Sequence, residues 1–274
     1  MPEAVSLPEV QAMKAAGRKI VGVVAWDYQM ATIADRVGVE IVSVGDTVGV
    51  NMWGHDNPLA VTMDEMIVVT RAVRRGVSRA LVSCDFPFGP LQEGPAEAVR
   101  AAVRLVKETG ADLVKLDGAA DHLDAVTAVS RAGIPVFAQF GITPQTALRH
   151  GVAYSATPSP DAQVPAAMTE EFVEQARQLQ AAGAALLNFT NSGPVVGPAV
   201  VAAVQIPVLG GHGGGPWLDG RVRLASTAIG YAARNLDREV AEAYANVARV
   251  SHAALSRYAE DVRAGLQVRG GGGR

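Results

Sequence analysis

The chain has 274 residues, of which 49% are hydrophobic, 19% are charged and 5% are aromatic, and its formal net charge is -3. This length allows one large domain with a substantial core, and this composition excludes a disordered or fibrous protein. Acidic and basic residues are interspersed without a basic stripe, so neither a nucleic acid nor an anionic membrane is an expected partner.

Strand-like and helix-like patterns alternate along the chain. Short apolar runs bounded by turn residues predict buried parallel strands, and amphipathic segments between them predict helices. Because no GxGxxG follows the first strand, this α/β pattern favours a (β/α)8 TIM barrel over an open doubly wound sheet. The predicted strands are 19–25, 40–45, 79–84, 112–117, 134–139, 184–190, 206–211 and a weaker one at 221–225. The predicted helices are 28–37, 63–76, 95–109, 120–132, 144–150, 168–182, 195–203 and a long closing helix over 236–264.

We expect one barrel domain over residues 1–265, followed by a glycine-rich, disordered tail over residues 266–274. Two stretches interrupt the alternation. Residues 151–167 are rich in Pro, Ala and Ser, and a loop of this length is often a lid over a site. Residues 211–220 form a glycine loop after the seventh strand, which either lets backbone N–H groups approach an anion or is a plain flexible turn.

Three of the apolar runs end in an aspartate: Asp46, Asp85 and Asp117. In one parallel barrel, all three would stand at the C-terminal rim, where such barrels place their chemistry. Converging carboxylates repel one another unless a hard cation joins them, so the sequence predicts a Mg²⁺ site. The alternative is that each aspartate caps the helix that follows it.

Cys84 is the only cysteine, which excludes an intramolecular disulfide. Because it lies inside an apolar run, we interpret it as a small core residue rather than as a nucleophile. The sequence has no N-terminal signal pattern and no apolar run long enough to span a membrane. We therefore expect a soluble, cytoplasmic protein.

A set of short motifs runs in order between about residue 5 and residue 262. The motifs occupy residues 25–28, 44–49, 54–62, 73–76, 85–88, 114–118, 141–145 and 219–220. By these motifs the chain resembles the ketopantoate hydroxymethyltransferase family. The resemblance implies a barrel of the phosphoenolpyruvate-mutase and isocitrate-lyase type, Mg²⁺, a 2-oxo acid substrate, and 5,10-methylenetetrahydrofolate as the one-carbon donor. It also implies a homo-oligomer, often a decamer.

The resemblance also implies roles for individual side chains. A 2-oxo acid chelates Mg²⁺ through its carboxylate and keto oxygens, and the metal stabilises the enolate formed when the C3 proton leaves. The family's metal-binding aspartates match Asp46 and Asp85, and Asp117 stands where the family has a longer glutamate, so direct and water-mediated metal contact are both open. Thr47 and Lys115 would bind the substrate carboxylate. The expected substrate-binding residues are Ser43, Gly45, Asp46, Thr47, Asp85, Lys115 and Gln139.

Three positions depart from the family pattern. Thr190 stands where the family's proposed base is a glutamate, and a threonine hydroxyl needs another group to activate it before it can act as a base at neutral pH. Gln139 replaces a histidine, and it still donates a hydrogen bond but carries no proton. His212 lies in an altered glycine segment, where it either replaces the base or is a solvent-exposed loop residue. The candidate proton acceptors, in order, are a water on the metal, His212 and Asp27.

The sequence therefore predicts a Mg²⁺-dependent enzyme that enolises a 2-oxo acid and transfers a one-carbon unit to it, with a substrate other than 3-methyl-2-oxobutanoate. Two alternatives stay open. One is a Mg²⁺-dependent C–C lyase acting on a 2-oxo or 2-hydroxy acid, although the lysine–glycine–cysteine type of loop expected of it is missing. The other is a metabolite-binding pseudoenzyme, which the replacement of the glutamate by Thr190 motivates.

Overall fold

Eight parallel strands close into a barrel in sequence order in a computed structural model that describes residues 3–154, 163–237 and 243–266. All eight predicted strands are present, including the weak last one, and the predicted α/β barrel is confirmed. Closure is tight, because a Cβ on Gly220 would collide with the carbonyl oxygen of Ile20. The strands are β1 (Ile20–Val24), β2 (Ile41–Val44), β3 (Leu81–Asp85), β4 (Leu113–Asp117), β5 (Val136–Gly141), β6 (Leu186–Thr190), β7 (Val208–Gly210) and β8 (Gly220–Leu224).

Helices follow most of the strands, and their ends carry the expected local chemistry. In α4, the Thr62 hydroxyl accepts a hydrogen bond from the Glu65 N–H, and the Glu65 carboxylate accepts one from the Thr62 N–H. Gly110 ends α5 in the left-handed conformation, with φ 71°. The helices are α1 (Leu7–Ala15), α2 (Tyr28–Val37), α3 (Val48–Trp53), α4 (Met63–Gly76), α5 (Pro95–Thr109), α6 (Leu123–Arg131), α7 (Thr169–Ala181), α8 (Val196–Ala203), α9 (Ala225–Ala228) and α10 (Val247–Arg263).

Two predicted helices are wrong in length. The helix predicted over residues 144–150 is only a 3-10 turn, Ala147–His150, because so short a segment nucleates poorly and Gly151 ends it with φ 67°. The long helix predicted from residue 236 begins at Val247, where the Asn246 side chain caps the backbone N–H of Arg249 at 3.1 Å. The sequence interpretation also missed α3, a helix of six residues.

Alternation along β5 and β6 separates an aromatic layer from a polar one. Phe140 and Phe189 are partners in the strand register, their rings stack with centroids 4.6 Å apart, and Phe172 of α7 packs on Phe189 at 5.5 Å. Because neighbouring side chains on a strand point to opposite faces, Gln139 and Asn188 face the barrel interior. The same strands therefore build the core against α7 and carry the polar residues of the interior.

Asp35 ties the end of α2 to the entrance of β3. Its buried carboxylate accepts hydrogen bonds from the backbone N–H groups of Ser78, Arg79 and Ala80 at 2.8 to 3.2 Å. Burial alone would raise the pKa of Asp35, but these hydrogen bonds outweigh it and lower the pKa below its usual range. The charged carboxylate thus fixes this turn.

We expect Asp35→Ala to lower the free energy of unfolding by about 3 kcal/mol at pH 7, because buried donors lose a charged acceptor. Denaturant unfolding measures this loss, with Asp64→Ala, at an exposed carboxylate, as the control. Because the folded pKa is depressed, the contribution of Asp35 is present above the unfolded pKa of about 3.9 and disappears as pH falls through the folded pKa. Equal unfolding midpoints for the two variants would contradict this account.

The chain divides into two compact units, Met1–Arg223 and Leu224–Arg274. In the second unit, α10 is joined to the end of α9 by the hydrogen bond from Val247 N to Ile229 O at 3.0 Å. The single domain expected over residues 1–265 stays a prediction. Residues 155–162 of the expected lid, and the expected tail beyond residue 266, lie outside the described residues. In the ranges that the structure describes, we find no helix with both the length and the apolar character needed to cross a membrane.

Candidate active site

Three buried carboxylates stand at the C-terminal ends of neighbouring strands. Asp85 and Asp117 are the last residues of β3 and β4, and Asp46 follows β2; their exposed fractions are 6%, 6% and 3%. Burial, together with the charges of Asp85 and Asp117, raises the pKa of Asp46 to about 8. Burial likewise raises the pKa of Asp117 to about 6. The structure thus brings the three predicted acids into electrostatic contact.

Lys115 supplies a positive charge inside this group. It is the register partner of Asp85, and its Nζ donates a hydrogen bond to Asp85 Oδ2 at 2.7 Å. Burial alone would lower the pKa of Lys115, but the charge and hydrogen bond of Asp85 outweigh it and raise the pKa. Lys115 is therefore a fixed cation, as expected for a residue that receives an anionic substrate group.

Two glutamine side chains hold the other two acids in place. Gln139 Nε2 donates to Asp117 Oδ2 at 3.0 Å, and Gln145 Nε2 donates to Asp46 Oδ2 at 2.8 Å. The backbone N–H of Gln145 also donates to Asp117 Oδ2 at 3.3 Å. The sequence interpretation assigned Gln145 no role, although it lies in the motif at 141–145.

The cluster retains acceptor capacity that the described residues do not satisfy. Among them, Asp85 Oδ1 and Asp117 Oδ1 are buried and find no hydrogen-bond partner. Within the described ranges, however, no three His, Cys, Asp or Glu side chains form a ready set of metal ligands. A Mg²⁺ ion held by one or two carboxylates, with water and substrate oxygens completing its shell, fits both observations. Direct ligation by Asp46, Asp85 and Asp117 together stays a prediction.

The expected substrate-binding residues on β2 and after it lie beside the acids. The Ser43 and Ser83 hydroxyls bond each other at 2.8 Å within the barrel, and the Gly45 carbonyl accepts from Trp26 Nε1 at 2.9 Å. Thr47 is buried and begins α3 without capping it through its side chain. Its hydroxyl therefore remains available for a ligand.

The positions after β5 and β6 form a neutral polar wall. Thr190 is 1% exposed, and its hydroxyl donates to Asn188 Oδ1 at 3.4 Å. Asn191 adopts a left-handed backbone, with φ 57°, and its N–H donates to the His212 carbonyl at 2.8 Å. A non-glycine residue in this conformation is held by its surroundings, and such residues concentrate at functional sites.

His212 is the histidine among the expected site residues, and it lies beside the polar wall. Its side chain is half-buried in the glycine loop. Burial, with the nearby positive charges of Lys115 and Arg221, lowers the pKa of His212 to about 4. The imidazole is therefore neutral at pH 7, the form that can accept a proton, and its low pKa makes it a weak base.

Asp27 lies outside this arrangement. It is exposed, and its carboxylate caps α2 by accepting a hydrogen bond from the Met30 N–H at 2.8 Å.

Tyr154, by contrast, enters the site without having been expected there. Burial, with the charges of Asp46 and Asp117, raises the pKa of its phenol, which therefore stays protonated. The only sequence signal for it was its place in the predicted lid.

Comparisons with known proteins identify the family and agree with this fold. The ketopantoate hydroxymethyltransferase family model matches residues 4–266. A 3-methyl-2-oxobutanoate hydroxymethyltransferase from Cyanothece sp. is 38% identical over 260 residues, which cover 94% of this chain and 96% of that protein. One from Pyrococcus furiosus is 38% identical over 249 residues, covering 90% of this chain and 84% of the relative.

Solved structures of lower identity confirm the barrel type. 2,3-Dimethylmalate lyase, a member of the PEP mutase/isocitrate lyase superfamily, superposes with a TM-score of 0.58 at 14% sequence identity. The match covers 95% of this chain and 88% of the lyase chain. Phosphonopyruvate hydrolase, solved with oxalate and Mg²⁺, has a TM-score of 0.58 at 13% identity, with coverages of 96% and 88%. The family match over nearly the whole chain decides the assignment: the chain belongs to the ketopantoate hydroxymethyltransferase family, whose members transfer one-carbon hydroxymethyl groups.

Proposed function

We propose that this protein enolises a 2-oxo acid at a Mg²⁺ site and joins the enolate to the methylene carbon of 5,10-methylenetetrahydrofolate. Water supplies the hydroxyl of the new hydroxymethyl group, and tetrahydrofolate leaves as its bonds to this carbon break. The observation that carries the proposal is the buried cluster of Asp46, Asp85, Lys115 and Asp117 at the end of the barrel. It combines excess negative charge, a single fixed cation and unsatisfied carboxylate oxygens. We further propose a homo-oligomer, as the family resemblance implies, and a cytoplasmic location.

The residues present fit a hard divalent cation. Asp46 and Asp85 would hold it, and Asp117 would do so directly or through water, since one Asp117 oxygen is already engaged by Gln139. When bound, Mg²⁺ supplies Lewis-acid stabilisation of the negative charge that develops on the keto oxygen. Gln145 orients Asp46 for this task by its hydrogen bond to Oδ2, because a hydrogen bond to a metal-binding side chain fixes the geometry of that side chain.

The other side chains position the acid and exclude water. Lys115 and the Thr47 hydroxyl receive the substrate carboxylate, and burial of both residues strengthens these contacts. Tyr154, as a neutral phenol close to the carboxylates, donates a hydrogen bond rather than accepting a proton.

Of the two side-chain candidates for the proton acceptor, we propose His212, because its electrostatic surroundings include Lys115. It is neutral at pH 7 and near the Lys115 end of the site, whereas the Asp27 carboxylate is exposed and caps a helix. Thr190 donates its hydroxyl to Asn188, so it serves in orientation rather than as the base. A C–C lyase and a pseudoenzyme remain the alternatives.

We expect His212→Gln to slow C3–H exchange of the substrate by about 10²- to 10⁴-fold, because glutamine keeps a hydrogen bond but takes no proton. Proton NMR in D2O measures the exchange rate. Asp27→Asn is the matched control and leaves the rate unchanged. The reverse pattern, a large loss in Asp27→Asn and none in His212→Gln, would assign the base to Asp27.

The transfer itself is tested with 5,10-methylenetetrahydrofolate carrying ¹³C in its methylene group, incubated with Mg²⁺ and a panel of 2-oxo acids. The proposal expects ¹³C in a new hydroxymethyl group on C3 of one acid. Cleavage of a panel acid or of its 2-hydroxy analogue, without ¹³C transfer, would establish the lyase alternative. Absence of both reactions in a protein that binds Mg²⁺ would favour the pseudoenzyme.

A further inference from the structure

Two buried amides, Gln139 and Asn188, face each other across neighbouring strands of the barrel. They are register partners on β5 and β6, with exposed fractions of 5% and 2%. Each amide group forms a hydrogen bond through only one of its two polar atoms. Within the described chain, Gln139 Oε1 and Asn188 Nδ2 have no protein partner, although neither atom is sealed in the core. One acceptor and one donor therefore point into accessible space at the barrel mouth.

The orientation of Gln139 follows from its neighbour. Asp117 Oδ2 only accepts hydrogen bonds when ionised, so the Gln139 Nε2 must face it at 3.0 Å and Oε1 must face away. For Asn188, the Thr190 hydroxyl donates to Oδ1 at 3.4 Å. A Cβ on Gly211 would stand 3.0 Å from Asn188 Oδ1, so the glycine loop leaves the space that this amide occupies.

Because both atoms border accessible space, a ligand group that displaces solvent from them loses affinity unless it replaces their hydrogen bonds. The pair requires a group that donates to Gln139 Oε1 and accepts from Asn188 Nδ2. An alcohol hydroxyl does both, and a purely aliphatic side chain does neither. The pair is also uncharged, so it does not call for an ionised group.

We propose that Gln139 and Asn188 determine substrate specificity by binding a hydroxyl group on the side chain of the 2-oxo acid. The inference rests on the proposed function and names its substrate class: hydroxylated 2-oxo acids, in preference to branched aliphatic ones. Gln139 also contacts Asp117, which places this subsite next to the carboxylate cluster. The hydroxyl is thus recognised within reach of the C3 carbon.

The test compares two acids of equal size, 4-hydroxy-2-oxobutanoate and 2-oxopentanoate, in which a hydroxyl replaces a methyl group. C3–H exchange in D2O with Mg²⁺ and without folate gives kcat/KM for each. We expect the wild type to favour the hydroxy acid by at least about tenfold, since a site built to bind a hydroxyl rejects an analogue without one. Asn188→Leu should reduce this preference to about threefold or less.

The matched control is Phe189→Leu, the next residue on β6, which faces the aromatic layer and should keep the wild-type preference. Equal rates for the two acids in the wild type, with no change in Asn188→Leu, would overturn the specificity assignment while leaving enolisation intact. If Asn188→Leu weakens only the binding of tetrahydrofolate, the hydroxyl assignment also fails, because the subsite then serves the one-carbon donor. Absence of exchange with every 2-oxo acid would instead remove the proposed function itself.

Discussion

Asp85→Asn is expected to abolish C3–H exchange, with a loss of at least about 10³-fold, because it removes a charged ligand from the proposed metal site. It also leaves Lys115 without the carboxylate that bonds its Nζ at 2.7 Å. Asparagine has the same shape, so the barrel should stay folded. Exchange rates by proton NMR and Mg²⁺ affinity by calorimetry measure the two consequences separately.

Asp112→Asn is the matched control for this variant. Asp112 lies at the opposite end of β4, where its carboxylate accepts hydrogen bonds from Arg74 and from the Val82 N–H. Its replacement should lower stability and leave the rate per folded molecule unchanged. Wild-type exchange in Asp85→Asn would contradict the role given to the cluster.

Mg²⁺ is expected to bind more tightly as pH rises, by about tenfold per pH unit for each proton that it displaces. Without the metal, Asp46 and Asp117 have pKa values raised to about 8 and about 6. The proton and the metal compete for the same oxygens. Below pH 6 the protons win, and above pH 8 the carboxylates are free for the cation.

The same pKa shifts of Asp46 and Asp117 determine whether the folded, metal-free protein gains or loses stability as pH rises. Folded pKa values above the unfolded ones mean that the contribution of Asp46 and Asp117 is fully present below about pH 4 and is lost as pH rises through 6 and 8. The metal-free protein should therefore lose stability over this range, and Mg²⁺ should restore it. We expect a larger rise in Tm with Mg²⁺ at about pH 8.5 than at about pH 5.5. A rise that is equal at both pH values, or unchanged in Asp46→Asn, would argue against these carboxylates as the binding groups.

The sequence was most informative where strand ends carried charge. Asp46, Asp85 and Asp117 were predicted to converge, and they do so because parallel strands bring their carboxyl ends to one rim, where Lys115, expected from the family resemblance, joins them. Gln145 and Tyr154 were not expected, since each reaches the acids from a loop whose path depends on tertiary packing. Asp27 shows the opposite case, because an aspartate before a helix is satisfied locally by capping and has no need of the site.

The helix boundaries show the same contrast between features that the local sequence determines and features that depend on tertiary packing. Helices with a clear apolar face and good caps, such as α4 and α5, have the predicted bounds, whereas the segment at 144–150 does not. Its start is held by a bond between the Thr143 and Thr146 hydroxyls at 2.7 Å, so the side chains there serve a turn rather than a helix. Hydrophobic periodicity does not reveal that side-chain hydrogen bonds compete with the helix at this segment.

The most direct measurement is C3–H exchange of 2-oxo acids in D2O, followed by proton NMR with Mg²⁺ and then with a chelator. The account predicts exchange of at least one acid that requires the metal, proceeds without folate and disappears in Asp85→Asn. Exchange that persists in the chelator at an undiminished rate, or that survives Asp85→Asn, would contradict enolisation at this cluster.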